Sequence, residues 1–81
     1  MFLRVEECEY LKDYQLRLRF NNGEIVEVDL RMELDGEIFE PLKSLEFFKS
    51  VRCNPETNTI EWPNGADFAP EFLYEKGSVL A

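Results

Sequence analysis

Apolar and polar residues alternate strictly over Gln15-Leu16-Arg17-Leu18-Arg19-Phe20. A period of two marks a strand with one buried face. Asn21-Asn22-Gly23 interrupts the pattern, and Glu24-Ile25-Val26-Glu27-Val28-Asp29-Leu30 resumes it. A three-residue loop ending in glycine suits a type I turn closed by a residue in the left-handed region. That loop pairs Phe20 with Glu24, Leu18 with Val26, and Leu16 with Val28. The apolar side chains then share one face, and Arg17 falls opposite Glu27. A slip of one residue would turn one strand's apolar set to solvent. Upstream, residues 5–10 read as another strand, followed by a tight turn at Lys12-Asp13.

Asp35-Gly36 is a second turn signal. Residues 40–49 then read as a short helix. Pro41 takes its first position, where a missing N–H costs nothing. Leu42, Leu45 and Phe48 recur at helical spacing, and Lys49 meets the negative end of the dipole. A second hairpin is expected from residues 51–54 and 59–62 around Pro55-Glu56-Thr57-Asn58. It sets Val51 against Trp62, Arg52 against Glu61, and Cys53 against Ile60. Pro63-Asn64-Gly65 ends that strand. Asp67 is expected to cap a helix over residues 68–75, with Pro70 in its first turn and Gly77 as its stop. The pattern predicts an α+β fold with a mainly antiparallel sheet. Two hairpins and an N-terminal strand build the sheet, joined by one short helix and a helical C-terminal tail. No repeat or linker divides residues 1–81, which read as a single domain.

Composition narrows the function classes. Hydrophobic residues make up 44% and aromatics 14% of the 81, so the chain can build a core. That excludes a disordered acidic tail. Asp and Glu outnumber Lys and Arg by 17 to 9, a net charge of −8. The nine cations are scattered, which argues against nucleic acid, whose binding rests on clustered phosphate-neutralising cations. No run approaches the ~18 apolar residues of a membrane span. Met1-Phe2-Leu3-Arg4-Val5-Glu6-Glu7 lacks the apolar region of a secretory signal. A cytoplasmic location with no membrane contact is therefore expected. Cys8 and Cys53 are expected to be reduced there and to sit as small core or half-buried residues.

The chain has no histidine. That removes imidazole bases, Cys-His and Ser-His-Asp nucleophile schemes, and histidine-ligated metals. No glycine-rich phosphate loop is present. The acidic run Asp29, Glu33, Asp35, Glu37, Glu40 fails as a calcium loop. Aligning Gly36 with the loop glycine puts Arg31 and Leu42 at the first and last ligand positions. No catalytic residue, cofactor or metal is expected, and the chain reads as a non-enzyme. The densest motif is Trp62-Pro63-Asn64-Gly65-Ala66-Asp67-Phe68-Ala69-Pro70-Glu71-Phe72-Leu73-Tyr74. Its structural reading has Trp62 anchoring the core, Asn64-Gly65 turning the chain and Asp67 capping a helix. Its functional reading makes Trp62, Asn64, Gly65, Asp67, Pro70 and Tyr74 candidates for a recognition site, since tryptophan and tyrosine are favoured interface anchors.

The same residues carry a family resemblance. Asp13-Tyr14-Gln15-Leu16-Arg17-Leu18-Arg19-Phe20-Asn21-Asn22-Gly23-Glu24 is similar to an early D-Y-x-L-x-L-x-F-x-x-G-E pattern. Val28-Asp29-Leu30, Ile38-Phe39-Glu40-Pro41-Leu42 and residues 62–74 continue the likeness. Together they resemble the bacterial domain of unknown function 2442. The resemblance implies a compact α+β domain, found alone or ahead of a helix-turn-helix domain, and this chain is expected to be the stand-alone form. It also implies an antitoxin-like role beside a second small family, domain of unknown function 4160. No catalytic residues come with it.

The expected activity is thus protein interaction, masking a basic, toxin-like partner. Glu24, Glu27, Asp29, Glu33, Asp35 and Glu37 are the candidate acidic face. Two rival readings are a small-molecule sensor with a pocket near Trp62, Asp67 and Tyr74, and a homo-oligomer joined through a sheet edge.

Overall fold

The computed structural model describes residues 2–80 and is α+β. In chain order it contains β1 (Val5–Lys12), β2 (Gln15–Phe20), β3 (Ile25–Asp29), α1 (Leu45–Phe48), β4 (Arg52–Asn54), β5 (Thr59–Glu61), α2 (Pro70–Lys76) and β6 (Ser78–Val79). Short 3-10 turns occupy Arg31–Glu33 and Glu40–Lys43. The main sheet is antiparallel, in the order β1-β2-β3-β6, and β4-β5 form a separate two-stranded sheet. Among the described residues no helix is long and apolar enough to cross a membrane.

The first hairpin has the predicted register. Leu16 pairs with Val28, Arg17 with Glu27 and Leu18 with Val26. The Phe20 N–H donates to the Glu24 carbonyl at 2.9 Å. Gly23 has a φ of +87°, the left-handed geometry that a side chain disfavours. β1 runs to Lys12, so its turn to β2 is the pair Asp13-Tyr14, with Asp13 at a φ of +48°.

The periodicity also places the core. Leu16, Leu18, Phe20, Val26 and Val28 are buried on one face of the sheet. Leu42, Phe48, Ile60, Trp62 and Leu73 cover that face from the following elements. The opposite face is polar, with a charge ladder across the strands. Arg17 lies between Glu9 (3.3 Å) and Glu27 (2.8 Å), and Arg19 between Glu6 (3.2 Å) and Glu7 (2.7 Å). Each exposed pair contributes little stability, because solvent screens it.

Three expectations need correction. The helix over residues 40–49 is split at Ser44, whose ψ of 122° is extended. Leu42 and Phe48 are both fully buried. In one continuous helix, residues six apart point about 120° away from each other. The break turns both inward and leaves Leu45 39% exposed. Second, the β4–β5 ladder ends at Arg52 and Glu61, so Val51 does not pair with Trp62. The Trp62 N–H donates instead to the Ala66 carbonyl, and its own carbonyl accepts from Gly65.

Third, Asp67 caps no helix. It is exposed and forms an isolated antiparallel bridge with Glu61. α2 begins at Pro70 with Ala69 as the flanking residue at a ψ of 142°. A residue before proline is pushed out of the helical region, so the helix cannot start earlier. Gly77 ends α2 as expected, at a φ of −85°. It is there because the chain passes too close to β3. A Cβ at position 77 would lie 2.2 Å from Val26 Cγ1 and 2.9 Å from the Glu27 carbonyl oxygen. That approach lets Ser78 and Val79 pair with Glu27 and Val26 as an edge strand the sequence pattern did not announce.

The two glycines give opposite tests of this geometry. Gly77→Ala forces a branched neighbour and backbone apart and should cost about 1–3 kcal/mol. Gly23→Ala meets no atom within 4 Å and should cost only the left-handed penalty of about 1 kcal/mol. Urea denaturation of the two variants checks the order; an equal or smaller loss for Gly77→Ala refutes the close-approach account.

Candidate functional site

The motif of residues 62–74 is first of all architecture. Trp62 is 1% exposed, and its Nε1–H donates to the Phe48 carbonyl at 2.9 Å. Asn64 closes the turn in two directions. Its Oδ1 accepts from the Ala66 N–H at 3.1 Å, and its Nδ2 donates to the Ile38 carbonyl at 2.8 Å. Gly65 holds the turn at a φ of +88°. Pro70 is the first residue of α2. Tyr74 packs edge-on against Phe20 at 5.4 Å and donates its hydroxyl to Glu24 at 2.6 Å. Only Asp67 of the six stands exposed without a side-chain bond among the described residues.

These residues do not converge on one cavity. The cavity beside Trp62, about 250 Å³, is lined by Arg52, Glu61, Pro63 and Gly65 and contains neither Asp67 nor Tyr74. Among the described residues no group of three Cys, Asp or Glu side chains is placed to hold a metal ion.

What the motif builds is a ridge of phenylalanines. Asn64 ties the loop through Ile38 against residues 64–66, which brings Phe39 beside Phe68. Phe39 and Phe68 stack at 4.9 Å, and Phe68 and Phe72 stack at 5.5 Å, with interplanar angles of 21° and 14°. Trp62 meets Phe68 edge-on from the core at 5.9 Å. Phe39 and Phe68 are half-buried. Phe72 and Ile38 remain 36% and 47% exposed. Neither Phe39 nor Ile38 was legible as part of a site, because 26 positions separate Ile38 from Asn64. The Ile38-Phe39 pair in a turn-rich stretch was the available signal.

Charge is distributed unevenly around this ridge. Among the described residues, seven of the 17 side-chain carboxylates sit in ion pairs, which also occupy five of the nine Lys and Arg cations. Four of the six acids expected to form an acidic face are engaged internally. Glu27 pairs with Arg17, and Glu33 with Lys76 at 3.1 Å. Glu24 accepts from Asn22 and Tyr74, and Asp29 accepts from the Arg31 N–H. Asp35, Glu37, Asp67, Glu71 and Glu75 are exposed and make no side-chain bond among the described residues. These five lie in the two segments that carry the ridge phenylalanines, while Asp13, Glu46 and Glu56 are likewise exposed and unbonded elsewhere among the described residues.

Two titrations report on this arrangement. The hydrogen bond to Glu24 raises the Tyr74 phenol, with burial adding to it. The protonated phenol is the favoured form, so the bond's contribution is complete below the ordinary tyrosine value of about 10 and is lost as pH rises through the raised one. The stability difference between the native protein and Tyr74→Phe should stay level from about pH 7 to 9 and shrink above about pH 10. A level difference through pH 11 sinks this assignment. Cys8 is half-buried, and its thiol is pushed up to about 11 by burial and by the neighbouring Cys53. Cys53 is also raised, by burial and then by Glu6 and Glu7. Since the thiolate is the reactive form, alkylation by iodoacetamide at pH 8 should be at least about tenfold slower in the folded protein than after urea unfolding.

No curated protein and no solved structure matches the chain. The family model described as protein of unknown function (DUF2442) matches residues 5–78. That span runs from the start of β1 to the first residue of β6, so it takes in the hairpin, the motif and the phenylalanine ridge. The chain belongs to the family of proteins of unknown function (DUF2442).

Proposed function

We propose that this domain binds a basic partner protein in the cytoplasm and masks it, in the manner of an antitoxin, using the phenylalanine ridge and its acidic rim. The observation that carries the reading is the coincidence of exposed apolar surface with unpaired carboxylates. Exposed apolar groups on a small monomer are a source of binding energy when covered. Uncompensated charge beside them steers an opposite charge to the surface and speeds association. On the far face of the sheet the four glutamates of the ladder are each held by Arg17 or Arg19, so its carboxylates are paired. The rigid turn at Asn64-Gly65 supports the ridge from below, so docking requires little ordering of the backbone.

The test is co-expression with a neighbouring domain of unknown function 4160 protein, the partner class implied by the family resemblance. A stoichiometric complex weakened by salt is expected. Glu37→Gln, Asp67→Asn, Glu71→Gln and Glu75→Gln combined should weaken it roughly tenfold, chiefly through a slower association rate. The control is Glu6→Gln with Glu9→Gln on the opposite face, which should leave affinity unchanged. Equal affinity of the fourfold variant and the native protein would falsify the ridge as the docking surface.

A further inference from the structure

The ridge has a directional feature that narrows the chemistry of what it binds. Phe68 is the middle ring of the stack, since it stacks on Phe39 and on Phe72. Phe39, which is half-buried, forms one end. Phe72 forms the other end. One of its faces is covered by Phe68, and the residue keeps 36% of its surface exposed.

Elsewhere this chain places its own cations on its peripheral rings. Arg31 sits over Tyr14 at 5.6 Å, and Lys49 over Tyr10 at 5.4 Å. Phe72 has no such cation among the described residues, although Lys76 follows it by four positions on α2 and is within helical reach. Glu33 holds the Lys76 ammonium at 3.1 Å, away from the ring. Glu71 and Glu75, which flank Phe72 along the helix, are exposed and unpaired among the described residues. The end of the ridge thus offers an aromatic face with carboxylates beside it.

Resting on the masking reading above, we infer that the open end of the ridge at Phe72 is a seat for a partner arginine. Its guanidinium would lie flat on the Phe72 ring and donate to the carboxylates of Glu71 or Glu75. Arginine fits better than lysine for a physical reason. The guanidinium is planar and weakly hydrated, so it stacks on an aromatic face while its edge donates to carboxylate oxygens. The lysine ammonium is a compact, strongly hydrated point charge that must lose more water to do the same.

The experiment compares two blocked nonapeptides of equal charge, nona-arginine and nona-lysine, against the full chain by calorimetry at physiological salt. Nona-arginine is expected to bind about fivefold more tightly or better. Phe72→Leu keeps apolar bulk at the position and removes the π face. It should abolish that preference while retaining nona-lysine binding, with circular dichroism confirming the fold. Equal affinity of the two peptides for the native chain overturns the arginine seat and leaves the basic-partner reading standing. An arginine preference that persists in Phe72→Leu overturns it as well. Failure of both peptides to bind overturns both readings.

Discussion

The indole of Trp62 is the joint on which the structure turns. It is buried under the sheet, and its N–H is satisfied by the carbonyl of Phe48. That bond fixes the end of α1 against the end of the second hairpin. An indole N–H buried without an acceptor would cost on the order of 1–3 kcal/mol, so α1 and Trp62 must be placed together. The ring also contacts Phe48 at 5.6 Å and Phe68 at 5.9 Å. Core and ridge therefore share one aromatic cluster, and the surface inherits its rigidity from the interior.

A small domain has few ways to make such a surface. Its core here comes from one sheet face closed by short, irregular elements. None of the covering elements is long, with α1 spanning four residues and α2 seven. Side-chain to backbone bonds do the joining that longer helices would otherwise do. Asn64 holds Ile38, Thr59 donates to the Phe68 carbonyl, Cys53 donates to the Val5 carbonyl, and Tyr14 donates to the Lys43 carbonyl. Each links segments distant in sequence, and no buried side-chain polar atom among the described residues lacks a partner.

The electrostatics follow from the same economy. Cations are few, and the sheet's solvent face takes two of the arginines for its ladder. Cross-strand register dictates that arrangement, because Arg17 faces Glu9 on one side and Glu27 on the other. With Arg52 on Glu61 and Lys76 on Glu33, little positive charge remains for the ridge. Five of the eight exposed carboxylates that make no side-chain bond among the described residues lie in the two segments that carry that ridge.

Local pattern determined a good deal by itself. The alternation of residues 15–30 specified the hairpin, its register and its buried face, because period two and a three-residue glycine loop leave one consistent pairing. The four-residue loop before Thr59 is local chemistry of the same kind. The break at Ser44, the capture of β6 by β3 and the phenylalanine ridge were decided only in three dimensions. Ser44 interrupts a helical pattern because Leu42 and Phe48 must both reach the core. Gly77 has to pass Val26 closely for Ser78 and Val79 to pair. Phe39 becomes a neighbour of Phe68 through a loop tether that spans 26 positions. Periodicity encodes which side of an element is buried, but it does not encode which distant element will cover it.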